Sequence, residues 1–317
     1  MTDESIINTI AEEEIIVGRE GDFPLEGLLT MPAQRKSQLP AVVLVHGSGA
    51  NDLNQTIYFN RPFKDIANYL AAHGIAGVRY NKRNFTYGEK MLGKARDITV
   101  KSETIEDAIL ASNLLRRHPA IDPHRIFLVG HSLGGMLAPR IDASGGNFAG
   151  LIIMAGSPRN LWQILRDQND NVMAKLADGF RKRRLAKKLA KEAAIMQDFT
   201  AMTDEEAQKR RVFNHYFAYY FKEMADHPTE KYLAQLNKPL LIMQGEADFQ
   251  VFADKDFKLY QQLLADNPQV TFKLYPQLNH FFMPAGDGTI REYYKKANVD
   301  EAVLFDLVYW IKKTPSR

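Results

Sequence analysis

Cysteine is missing from all 317 residues. Its absence excludes disulfides, thiolate nucleophiles and Cys-ligated zinc or iron–sulfur sites, and it fits a reducing compartment. Long apolar runs are missing too: none approaches the ~20 residues that span a bilayer. The first residues, Met1-Thr2-Asp3-Glu4-Ser5, lack the basic start and apolar stretch of a secretory signal, so a cytoplasmic protein with no membrane partner is expected. Excess charge of one sign is also lacking. Lys and Arg number 41 against 38 Asp and Glu, a net charge of +3, and nothing in that balance calls for nucleic acid as a partner. Repeats and low-complexity tracts do not occur. A chain of this length buries roughly three quarters of its unfolded surface, so a large core needs neither crosslink nor metal. The length allows either one large domain with an insertion or two domains, and an oligomer is compatible with it.

What is present is a pattern of short buried strands alternating with helices. Two stretches, 13–18 and 25–30, flank turn residues and read as a hairpin. Ala41-Val42-Val43-Leu44-Val45 is a continuous run of the kind that is covered on both faces. Similar runs occur at 75–80, 125–129, 150–155, 239–244 and 270–275. Helical spacing appears at 62–73, 102–117 (with Ser102 as N-cap), 134–141, 253–265 and 299–312. This predicts an α/β fold with a mostly parallel, doubly wound sheet. The alternation pauses between 157 and 237, which reads as a helical cap insertion. Residues 1–156 and 238–317 then form the core.

Gly130-His131-Ser132-Leu133-Gly134 follows one buried strand and precedes a helix. G-x-S-x-G in that context is a nucleophile elbow: the serine sits on a strained turn, and the glycines let strand and helix approach. A serine hydroxyl needs a base, and the base needs an orienting carboxylate. With this elbow the order along the chain is Ser, then Asp or Glu, then His. Asp248, in Gly245-Glu246-Ala247-Asp248, follows the strand at 239–244, with Glu246 as the alternative. His280 is the one histidine beyond it and follows the strand at 270–275. An oxyanion needs fixed N–H donors. The backbone N–H of Leu133 supplies one. Ser48, in His46-Gly47-Ser48-Gly49, supplies the second, with His46 and Gly47 supporting the loop. These glycines do not extend to a phosphate-binding motif.

With these pieces placed, the chain resembles the α/β-hydrolase superfamily, and within it bacterial serine esterases of the dienelactone-hydrolase-like and acyl-aminoacyl-peptidase-like branch. The residues that carry the resemblance are His46-Gly47-Ser48-Gly49-Ala50-Asn51-Asp52, Arg79-Tyr80-Asn81-Lys82-Arg83, Gly130 to Gly135, Gly245 to Asp248 and Asn279-His280-Phe281. The resemblance implies a Ser132–Asp248–His280 triad, no cofactor, and acyl transfer to water. The chain departs from dienelactone hydrolase, whose nucleophile is cysteine, and Leu133 replaces the aromatic residue that follows serine in the peptidase branch. The expected function is a carboxylesterase acting on a small-molecule acyl or aryl ester. An acyl-CoA thioesterase or peptidase, and an inactive binding protein on the same fold, are the alternatives. No metal site is expected, since Asp142, Asp167 and Asp170 are scattered.

The insertion carries Trp162, Phe213, Tyr216, Phe217, Tyr219, Tyr220 and Phe221. Such side chains line an acyl or aryl pocket, or else pack a small core of the cap itself. Arg181-Lys182-Arg183-Arg184 with Lys187-Lys188 is a solvated helix face, or a site for an anionic substrate or surface.

Overall fold

The computed structural model describes residues 9–35, 37–92, 95–212 and 216–315. Lys36, Phe213, His215 and the acidic N-terminal residues noted above lie outside them. Among the described residues ten strands run in chain order: β1 Ile10–Val17, β2 Leu25–Pro32, β3 Leu39–Val45, β4 Ala76–Tyr80, β5 Ile121–His131, β6 Leu151–Met154, β7 Arg211–Val212, β8 Tyr216–Phe217, β9 Leu240–Gly245 and β10 Val270–Tyr275. Eight of them form one sheet in the order β1-β2-β4-β3-β5-β6-β9-β10. The β1–β2 hairpin is antiparallel, β2 joins β4 antiparallel, and every pair from β4 to β10 is parallel. The expected α/β sheet is therefore present. β7 and β8 form a separate two-stranded ribbon inside the insertion.

The continuous apolar runs become strands because both faces of the sheet are covered. Along β3, Ala41, Val43 and Val45 enter one core while Val42 and Leu44 enter the other. Phe127 and Val129 of β5 oppose Leu128 in the same way. One face is covered by α1 (Pro62–Ala72) through Phe63, Ile66 and Leu70, and by α10 (Glu301–Lys313) through Val303, Leu307 and Ile311. The other takes α2 (Glu106–Arg117) through Ala108, Ala111 and Leu115, α3 (Leu133–Ile141), and α9 (Lys258–Leu263) through Tyr260.

Between β6 and β9 lie α4 (Leu161–Lys175), α5 (Phe180–Ile195), α6 (Asp204–Lys209), α7 (Ala218–Asp226) and α8 (Thr229–Leu233). Buried residues of α4 and α7, such as Ile164 and Phe221, join the α3 side of the core.

Two local expectations change. The helix before β5 starts near Val100, and Ser102 is not its cap. Thr99 is: Ser102 N–H donates to Thr99 Oγ1 (3.5 Å), and Thr99 N–H donates to Ser102 Oγ (3.2 Å). Ser102 thus occupies the third helical position of a capping-box arrangement. β5 also begins earlier than expected, at Ile121, and shifts register between Leu39 and Ala41 of β3. Its polar start, Asp122-Pro123-His124, hides it from a search for apolar runs.

Candidate active site

The parallel strands all end at one edge of the sheet, and ligands bind outside that edge in open α/β sheets. The loops after β3, β5, β9 and β10 carry His46-Gly47-Ser48, Ser132, Asp248 and His280.

Ser132 sits between β5 and α3 with φ 53° and ψ −116°. Positive φ is disfavoured for a side chain with Cβ and costs about 1–3 kcal/mol, so surrounding structure must hold it. Ser132 N–H donates to Met154 O (2.8 Å), and Ser132 O accepts from Met136 N–H (2.9 Å). The two flanking glycines are required by close approach. A Cβ on Gly130 would lie 2.3 Å from Gly134 O, and one on Gly134 would lie 2.2 Å from Val45 O. The start of α3 is thereby pressed against the end of β3. The first N–H groups of a helix lack intrahelical partners, and here they include that of Leu133.

Asp248 is 4% exposed and accepts four hydrogen bonds. Oδ1 accepts from Gln250 N–H (2.7 Å) and Val251 N–H (3.0 Å). Oδ2 accepts from Gln244 Nε2 (2.9 Å) and His280 Nδ1 (2.7 Å). Glu246 is exposed, and the carboxylate that meets the histidine is that of Asp248. The loop bearing His280 is folded tightly over the end of β9. Asn279 Oδ1 accepts from Phe281 N–H (3.0 Å) and Met283 N–H (3.2 Å). A Cβ on Gly245 would lie 2.5 Å from Leu278 O and 2.6 Å from Asn279 O.

Two side chains that sequence reasoning did not assign to the site hold this arrangement. His131 Nε2–H donates to His280 O (2.9 Å), and His131 Nδ1 accepts from Gln55 Nε2 (2.6 Å). Burial, and then the neighbouring His280, keep the His131 imidazole well below its ordinary pKa, which fits this neutral tautomer. Asp248 and His280 are in direct contact. Ser132 joins them through its chain neighbour His131, not through a hydrogen bond of its own hydroxyl among the described residues.

The loop after β3 is pinned from both sides. His46 is buried, and its Nε2–H donates to Asp52 O (3.0 Å). Burial first, and then Lys82, lower its pKa to about 3, so the ring is neutral. Asn51 Nδ2 donates to Ser48 O and Gly49 O, both at 3.1 Å. Lys82 Nζ donates to Gly47 O at 3.0 Å. Gly47 lies beside the elbow: a Cβ there would stand 3.2 Å from Ser132 Cβ.

The insertion's aromatics mostly meet one another. Tyr216 lies 4.8 Å from Tyr220 and Trp162 lies 6.1 Å from Phe221 between ring centroids. Tyr220 and Phe221 are buried. A cavity of about 90 Å³ between α3 and the insertion is lined by Met136, Leu137, Leu161, Met224 and Thr229, among others, and none of Ser132, Asp248 and His280 lines it. The basic run lies on α5, where Arg181, Arg183, Arg184, Lys187 and Lys188 are exposed.

Residues 42–292 match the model of the alpha/beta hydrolase family. Esterase EstD of Thermotoga maritima is 32% identical over 292 residues, which are 91% of this chain and 66% of that protein. The chain thus spans about two thirds of that relative's length. Among solved structures, Est1E from Butyrivibrio proteoclasticus superposes with a TM-score of 0.58 at 15% identity, covering 95% of this chain and 99% of the other. The Pyrococcus horikoshii acylaminoacyl peptidase gives 0.59 at 14% identity, covering 100% of this chain and 44% of the other. At these identities the two structures speak for the fold alone.

Proposed function

This chain belongs to the alpha/beta hydrolase family, and from that premise we propose that it is a serine carboxylesterase cleaving small acyl or aryl esters through an acyl-enzyme. The observation that carries the reading is the buried Asp248–His280 pair, at 2.7 Å, on the same sheet edge as the strained Ser132. The 32% identity to Esterase EstD supports it.

Asp248 Oδ2 accepts the hydrogen bond of His280 Nδ1–H, which fixes the tautomer whose Nε2 is unprotonated and able to act as base and stabilises the imidazolium that forms. Ser132 Oγ gives its proton to that nitrogen as it attacks the ester carbonyl. The developing oxyanion is held by the N–H groups of Leu133 and Ser48. Collapse expels the alcohol, which takes the proton back from His280. Water, deprotonated by the same nitrogen, then attacks the acyl-enzyme; the acyl–Oγ bond breaks, Ser132 Oγ takes that proton back from His280, and the acid leaves. Insertion 157–237 serves as the cap. Helix α4 reaches the acid loop, with Gln168 Nε2 donating to Gln250 O (3.0 Å) and Asn171 Nδ2 to Phe249 O (3.2 Å). Gln250 is also a donor to Asp248.

The test is Ser132→Ala, assayed on short p-nitrophenyl esters beside the unaltered protein. Hydrolysis falls by about 10⁴-fold or more while the circular dichroism is unchanged, and a fluorophosphonate adds its mass to Ser132 only when the serine is present. Undiminished hydrolysis in the variant would falsify the assignment. Faster turnover of acyl-CoA or aminoacyl amides than of esters would overturn the substrate class.

A further inference from the structure

We propose that Lys82 is a positioning residue for the oxyanion site, and that Glu103 and Tyr220 tie this lysine to the insertion. The proposal rests on the serine-esterase reading above and names a part of the site that the reading leaves out.

The Gly47–Ser48 peptide sits between the lysine and the nucleophile. A trans peptide points its carbonyl and its N–H in opposite directions, and none of the peptide bonds among the described residues is cis. Lys82 Nζ donates to Gly47 O at 3.0 Å. The N–H of Ser48 is therefore aimed away from the lysine. Gly47 itself packs against Ser132, so fixing the plane of this peptide fixes where that N–H points relative to the nucleophile. Asn51 holds the next two carbonyls of the loop, and Lys82 N–H donates to Asn51 O (3.0 Å). The lysine thus grips the loop by both backbone and side chain. A cationic donor on the carbonyl also polarises the amide, which strengthens the hydrogen bond its N–H gives.

A lysine only 2% exposed needs compensation. Glu103 supplies it: Oε2 lies 3.7 Å from Lys82 Nζ, and Glu103 is itself 1% exposed. The same carboxylate accepts from Asn84 Nδ2 through Oε1 (2.5 Å) and from the Tyr220 hydroxyl through Oε2 (2.7 Å). Tyr220 belongs to α7 of the insertion. Four groups from separate segments (the loop after β3, the loop after β4, the helical turn that runs into α2 and the insertion) are joined in one buried chain that ends on the carbonyl of the Gly47–Ser48 peptide. A purely structural lysine would have no reason to end there.

The experiment compares the full-length protein with Lys82→Met, both counted by titrating reactive serine, on a p-nitrophenyl ester and on a trifluoromethyl ketone that forms a tetrahedral adduct. Losing one oxyanion donor costs on the order of 10²–10³-fold. Misaiming it through Lys82→Met should therefore lower kcat by about 10–100-fold, leave KM within about twofold, and weaken the ketone by the same factor as kcat/KM. Parallel loss in ketone affinity is what a lysine that merely supports folding would not produce. Unchanged kcat and ketone affinity per titrated serine overturn the proposal, as does a loss confined to KM. If Lys82→Met does not fold, Glu103→Gln takes its place. It should lower kcat about fivefold at constant KM, and full kcat there overturns the proposal. If the unaltered protein neither hydrolyses the ester nor reacts with fluorophosphonate, the serine-esterase reading has failed first, and the two failures are told apart.

Discussion

Gly245→Ala is the sharpest test of how the base is held. Gly245 ends β9, and the loop carrying His280 crosses directly over it. A Cβ there would lie 2.5 Å from Leu278 O, 2.6 Å from Asn279 O and 2.9 Å from Leu278 C. All three are backbone atoms, so no side chain can rotate out of the way. Restoring ordinary contact requires the loop to move by roughly 0.9 Å in an interior packed to crystal density. That loop is not free to move alone. Ala247 N–H donates to Leu278 O (3.0 Å), Asn279 holds the turn, and His280 follows it directly. The displacement is therefore passed to the imidazole and to its 2.7 Å contact with Asp248. A misplacement of about 1 Å costs on the order of 10²-fold in rate, or about 2.7 kcal/mol of barrier. Overpacking costs a further ~1–3 kcal/mol of stability. Ester hydrolysis per folded molecule and thermal melting measure the two effects separately. Gly179→Ala is the control, because a Cβ there meets nothing within 4 Å. If Gly245→Ala keeps kcat/KM within twofold of the unaltered protein, the reasoning is refuted. So it is if all the lost activity follows the unfolded fraction.

Asp248→Asn should reduce kcat by about 10³–10⁴-fold, because an amide cannot accept all four hydrogen bonds that this carboxylate takes; Glu246→Gln, at an exposed position, should leave it unchanged, and steady-state kinetics on both variants decides. Stability should depend on pH through His46, whose folded pKa is lowered from 6.5 to about 3 by burial and then by Lys82. Its unfolded form binds a proton first on acidification, so the contribution is fully present above pH ~6.5 and is lost as pH falls toward ~3, up to about 4–5 kcal/mol. Denaturant midpoints from pH 7 to 4 should fall less steeply in His46→Phe, and equal slopes would refute the assignment. Gln55→Leu should leave His131 Nδ1 without its donor and slow hydrolysis about tenfold at unchanged KM; full activity would remove Gln55 from the support of the His280 loop.

Much of this was legible in the sequence because each part has a strong local signal. Strands covered on both faces read as continuous apolar runs, so β4, β6, β9 and β10 were found within a residue of their ends and β3 within two. Ser132, Asp248 and His280 each follow such a run, and a parallel sheet brings the ends of its strands to one edge. What was missed depends on contacts between distant segments. Residues 122–124, just inside β5, interrupt its apolar run with polar or exposed positions, so this end of the strand carries no continuous burial pattern. Thr99 rather than Ser102 caps its helix, since both are good caps three residues apart and only the chain's path chooses between them. The run 157–237 could be read as helical, but not which aromatics face one another.

Lys82 shows why such residues escape. Its neighbours Tyr80, Asn81 and Arg83 give no hint that the ammonium meets a carbonyl 35 positions earlier. A lysine after a strand would ordinarily be read as solvent-facing. What marks it is burial beside a glutamate that is itself buried, and only the folded chain provides that. The same holds for Arg83, which bonds Asp107 (Nε to Oδ2, 3.1 Å), while burial pushes Asp107 up to about 6 despite the arginine. Two consecutive cations after β4 thus turn inward to Glu103, just before α2, and Asp107, in its first turn, and one of them continues to the loop after β3. The motif around Ser132 is local because strain and close approach are local. In the proposed mechanism, the support of the transition state is spread along a chain of buried charges. A substitution in the insertion, at Tyr220, has a direct physical route to Gly47 that passes through only two side chains.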